Sequence, residues 1–97
     1  MRFTVAFDVD DTLIKQDSRG EDVPNYPVIN LLLQLHALGA KIIVWSGGGI
    51  EYSTRWVEKL GLTAAHTLVV EKGAYEVDLA VDDEEVALGT SNFRIRG

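Results

Sequence analysis

Apolar residues in this chain fall in short blocks separated by glycine or by charge. Phe3 to Phe7 (FTVAF) is β-branched and aromatic, the composition of a buried strand. Ala40 to Trp45 (AKIIVW) predicts a second strand of the same kind. Between them Val28, Leu31, Leu32, Leu35 and Leu38 recur at helical spacing. Pro27 suits the first turn of that helix and Gly39 stops it. Ile50 to Leu60 predicts a second helix, with Trp56 and Leu60 one turn apart and Gly61 as terminator. Thr67 to Val70 and Val77 to Val81 predict two more strands, and Phe93 to Ile95 a last one. Asp83 to Leu88 predicts one or two helical turns, because its acids stand where a helix dipole favours negative charge. Residues 13–26 are charged and contain Gly20 and Pro24, which predicts an exposed loop or small hairpin turning at Asp17-Ser18-Arg19-Gly20.

Strands alternating with helices imply parallel pairing in a three-layer α/β domain. One link strains that pattern. Only Glu71 to Glu76 separate the third and fourth strands, whereas a parallel crossover normally takes about a dozen residues or more. The third strand is therefore expected to be very short or at an edge, or the link to be extended.

Composition narrows the function classes. Ninety-seven residues suit one small domain, residues 1–97. With no cysteine there is no disulfide, zinc–thiolate site or thiol nucleophile. A net charge of −6 argues against a broad nucleic-acid face. No apolar run approaches a membrane span and no basic-then-apolar leader opens the chain, so a cytoplasmic, non-membrane protein is expected.

The acids are unevenly placed, and their places matter. In an open parallel sheet, ligands bind beyond the carboxyl ends of the strands. The first predicted strand ends in Asp8-Val9-Asp10, the second in Ser46-Gly47-Gly48-Gly49, the fourth in Asp82-Asp83, and Lys72 follows the third. If the first and fourth strands are neighbours, Asp8, Asp10 and Asp82 converge. Carboxylates so gathered repel one another without a cation, and a hard oxygen donor set suits Mg²⁺. The glycine run leaves backbone N–H groups open at a helix start, a seat for an anion. These residues describe a site for Mg²⁺ and a phosphate-like group.

Phe7-Asp8-Val9-Asp10-Asp11-Thr12-Leu13 resembles the DxDx(T/V)L signature of the haloacid dehalogenase (HAD) superfamily, in its phosphatase branch. Ile43-Val44-Trp45-Ser46-Gly47-Gly48 is similar to the second motif of that family, Lys72 to its third, and Leu79-Ala80-Val81-Asp82-Asp83 to its fourth. The four occur in order across nearly the whole chain. The resemblance implies a Rossmann-like, HAD-like sandwich and a Mg²⁺-dependent phosphomonoester hydrolase. It makes Asp8 the nucleophile that forms an aspartyl-phosphate, and Asp10 the general acid and then base. It makes Ser46 and the Gly47 amide phosphate ligands, and Lys72 the charge that holds Asp8 and the phosphoryl group. Asp8, the Asp10 carbonyl, Asp82 and Asp83 would hold the metal. Arg55 is a further candidate for substrate binding.

Family members often carry a cap domain between motifs. Here residues 11–45 and 47–71 are used up by the predicted hairpin, helices and strand, so a capless member is expected, with residues 13–26 as a flap. The resemblance then implies a large or exposed substrate, or a lid supplied by a homo-oligomer or other partner. A fainter likeness to the 3′-phosphatase domain of polynucleotide kinases, through Thr54-Arg55-Trp56-Val57 and Leu79 to Asp83, raises phosphorylated nucleic-acid ends as substrates. The alternative is a catalytically weak or inactive module that binds phosphate or metal for regulation. A receiver domain fits poorly, because Val70-Glu71 stands where its phosphorylated aspartate belongs. Gly47 to Gly49 is not a P-loop, since no Gly-Lys-Ser/Thr follows. His36, His66, Trp45 and Trp56 read as packing or exposed residues.

Overall fold

A computed structural model describes residues 3–95. Five strands form one sheet in the order β5-β4-β1-β6-β7, and all its pairings are parallel. The central three are β1 (Thr4–Asp8), β4 (Lys41–Trp45) and β6 (Val77–Asp82). In β1 and β4 every residue after the first is buried, as expected of strands covered on both faces. A small antiparallel hairpin, β2 (Ile14–Gln16) with β3 (Asp22–Pro24), leaves the sheet after β1. Helices α1 (Tyr26–Ala37) and α2 (Ile50–Lys59) follow the hairpin and β4 respectively. Among the described residues no helix is long and apolar enough to cross a membrane.

The two faces of the sheet are covered differently. Val5, Phe7, Ile42 and Val44 face one core with Val28, Ile29 and Leu32 of α1 and Val57 of α2. Ala6, Ile43, Trp45, Val77 and Ala80 form a second, smaller core. Its cover is Val70, Tyr75, Val86 and Leu88, from the links before β6 and before β7. The layer on that face is built from non-helical chain.

This corrects the helix predicted over Asp83 to Leu88, where the chain bends and then runs irregularly. The reason is reach. The link must return along β6 so that β7 (Gly89–Arg94) can pair in parallel with it. Six residues of helix span about 9 Å, but a six-residue strand is about 20 Å long. Only extended chain closes that gap. The same constraint explains the link over 70–76, and β5 is reduced to Leu68–Val69 at the sheet edge. The last strand also begins four residues earlier than Phe93.

The hairpin turn lies where the sequence predicts it. Asp17 Oδ1 accepts from the N–H groups of Arg19 at 2.8 Å and Glu21 at 3.0 Å, and Gly20 takes φ 80°. Between β1 and β4 the described chain holds only a tight turn over Val9–Leu13, the hairpin and α1. Between β4 and β6 it holds α2, a short 3₁₀ turn over Leu62–Ala65, and β5.

Gly89, the first residue of β7, leaves no room for a Cβ. A Cβ there would lie 2.8 Å from Ser91 O and 2.9 Å from Ala80 N, both backbone atoms. Gly89→Ala is therefore expected to destabilise the fold by about 1–3 kcal/mol, read by urea denaturation. An unchanged midpoint would show that the β6–β7 contact is slack.

Candidate functional site

The carboxyl end of the sheet gathers the acids. β1 pairs with β6 in the register Phe7 to Val81, so Asp8 and Asp82 end adjacent strands side by side. Trp45 pairs with Asp8 on the other side, which brings Ser46 to the same edge. Asp8 and Asp82 are buried, at 5% and 1% exposure. Asp8, Asp82 and Asp83 each offer a carboxylate oxygen within 4.8 Å of the others.

Lys72 reaches into this cluster from the link after β5. Its Nζ lies 3.2 Å from Asp8 Oδ1 and 2.7 Å from Asp82 Oδ2. The first contact is a hydrogen bond. The second is a close ion pair with a buried carboxylate oxygen. Asp82 Oδ1 accepts from the Glu84 N–H at 3.0 Å.

The electrostatics follow from crowding. Burial, and then the charge of Asp82, push the Asp8 carboxyl up from 3.8 to about 7, against the pull of Lys72. Burial and the bond with Asp82 raise Asp83 as well. Burial works against the Lys72 ammonium, but its bonds with Asp82 and Asp8 win and its pKa is raised. One lysine does not neutralise three gathered carboxylates. An all-oxygen donor set of this kind fits a hard divalent cation of the Mg²⁺ or Ca²⁺ type.

The other predicted residues take up distinct places. Asp10 follows Asp8 by two, in the tight turn over Val9–Leu13, with extended φ −64° and ψ 129°. Asp11 after it takes the left-handed φ 59°, which aspartate tolerates better than most side chains. Asp10 is exposed, and its side chain is not among the clustered carboxylates. Ser46 is buried, and its Oγ accepts from the Gly48 N–H at 3.0 Å. Gly47 is exposed beside it, and Gly49 (φ 98°) leads into α2. Arg55 stands apart. It is exposed on α2, where it lines a shallow groove with Trp56, Glu58 and Lys59, and it makes no ion pair with the cluster.

One residue at the site escapes the sequence reading. Tyr52 Oη donates to Asp10 Oδ1 at 2.5 Å. Burial and this bond push its pKa up to about 12. An aromatic side chain in an amphipathic helix reads as core. The signal that could have found it is its position in the first turn of a helix that starts at the glycine run.

A cavity of about 900 Å³ opens beside Asp83, walled by the hairpin, the start of α1 and the end of β7. It is large enough for an organic ligand beside the acids. Comparison with known proteins finds no matching family model, no matching curated protein and no matching solved structure.

The raised Asp8 pKa has a stability consequence. The folded chain holds that proton more tightly than the unfolded chain does. Its contribution is full below 3.8 and is lost as pH rises towards about 7. With metal chelated, thermal stability is expected to fall over that window. Asp8→Asn should then raise the melting temperature at pH 8 by several degrees, and Mg²⁺ should stabilise the parent chain but not the variant. A parent and variant that melt alike across the window would contradict the crowding described above.

Proposed function

We propose that the chain is a phosphomonoester hydrolase that works through an aspartyl-phosphate on Asp8. The observation that carries this reading is the juxtaposition at the sheet edge. A buried carboxylate ends the central strand, a lysine bonds it at 3.2 Å, and two further carboxylates lie within 4.8 Å. The ordered resemblance of the four sequence segments to HAD motifs supports it, as does the parallel sheet that carries them, read as a HAD-like Rossmann arrangement.

The reaction divides into two steps. A carboxylate oxygen of Asp8 attacks phosphorus and the bond from phosphorus to the leaving oxygen breaks. Asp10, in its protonated form, gives its proton to that oxygen, which departs as an alcohol. Asp10 then takes a proton from a water whose oxygen attacks the phosphorus. The bond to Asp8 breaks, inorganic phosphate leaves, and the enzyme is restored. Lys72 balances charge on Asp8 and on the phosphoryl oxygens as they approach. Ser46 and the Gly47 N–H would bind those oxygens. Asp8, Asp82 and Asp83, with the Asp10 carbonyl, would hold a Mg²⁺ ion, which supplies charge neutralisation to the phosphoryl group.

The described chain has no domain inserted over this edge, and the adjoining cavity is open. This favours a large or exposed phosphoester as substrate, with phosphorylated nucleic-acid ends as one class to assay.

The test is turnover of p-nitrophenyl phosphate. Activity is expected with Mg²⁺ and not after chelation. Asp8→Asn should reduce it to background, and Lys72→Met by about 10²–10³-fold. Turnover that survives in Asp8→Asn would overturn the proposal.

A further inference from the structure

Asp10 is exposed and sits in an irregular turn, so nothing in its backbone fixes its carboxyl. Among the described residues its one side-chain hydrogen bond is the 2.5 Å bond from Tyr52 Oη to Oδ1. That bond joins residues 42 apart in sequence and ties the turn after β1 to α2. Tyr52 is itself braced from below. A Cβ on Gly48 would lie 3.0 Å from Tyr52 Cδ2, 3.2 Å from its Cγ and 3.4 Å from Ser46 Oγ. The phenol ring therefore stands on the backbone of the loop that follows Ser46. Ser46 Oγ holds that loop through the Gly48 N–H at 3.0 Å.

We infer that Tyr52 is a positioning residue: it ties the Asp10 carboxyl to the loop after Ser46, so that proton donor and phosphate seat keep a fixed geometry. The inference rests on the phosphatase reading above and deepens it. The hydroxyl occupies Oδ1 as a donor, so Oδ2 is the oxygen left to face the leaving group. A general acid must come within about 2.6–3.2 Å of the oxygen it protonates. A misplacement of about 1 Å can cost on the order of 10²-fold in rate.

The consequence is specific to the leaving group. A nitrophenolate departs without a proton, whereas an alkoxide does not. Tyr52→Phe keeps the ring on Gly48 and removes only the hydroxyl. For an alkyl phosphate such as glycerol phosphate, kcat is expected to fall about tenfold or more. For p-nitrophenyl phosphate it should fall less than about threefold, and KM should stay within about twofold for both. Circular dichroism of the variant checks the fold. Equal losses on both substrates would make Tyr52 merely structural, and no loss on either would make its hydrogen bond idle. Both results overturn this inference while leaving the phosphatase reading intact. A parent chain that turns over neither substrate fails the phosphatase reading itself.

Discussion

Two buried carboxylates at the ends of adjacent parallel strands are the constraint around which the molecule is organised. Parallel register places Asp8 beside Asp82, and no rotation of either side chain removes both from the same edge. Burial makes their charges costly and nearness makes them repel. Lys72 answers part of that cost by touching both. The remainder is an excess of negative charge held at that edge. Seen this way the acidity of the chain is not only a surface property. Asp8, Asp82 and Asp83 are concentrated at one point of the fold.

The sheet that delivers these groups is supported unequally. Helices α1 and α2 pack on one face through long aliphatic contacts. The other face is closed by Val70, Tyr75, Val86 and Leu88 from short links. A small domain has little surface to bury. Replacing helices by extended chain on one side reduces the length needed while keeping all five strands. It also leaves the carboxyl edge open, since no inserted domain stands above it in the described chain.

Much of this was readable in the sequence, and for definable reasons. The central strands stand out because FTVAF and KIIVW are continuous apolar runs, which parallel strands covered on both faces require. The hairpin stands out because Asp17 and Gly20 supply the turn chemistry. Asp8, Asp82 and Lys72 were legible as candidates because each follows or ends an apolar block. The segment over 83–88 was misread because local preference there favours a helix start, while the need to span β6 demands extended chain. That demand appears only once the parallel pairing of β6 and β7 is known. Tyr52 was hidden for a similar reason. Its partner, Asp10, is distant in sequence, and nothing local distinguishes a ring that binds a carboxylate from one that fills a core. Arg55, by contrast, makes no ion pair with the acids among the described residues.

The link that carries Lys72 is also the cover of the smaller core. Val70 and Tyr75 anchor it on either side of the lysine, and Lys41 Nζ donates to Tyr75 Oη at 2.8 Å from the first residue of β4. The lysine is thus strung between two apolar fixings, like a bead on a tensioned cord. Slack at either fixing would let the ammonium withdraw from Asp8 and Asp82. Lys41, at the amino end of its strand, thereby helps fix the link whose lysine stands at the opposite end of the sheet. In such a chain the integrity of the site and the tightness of its lesser core are one mechanical property.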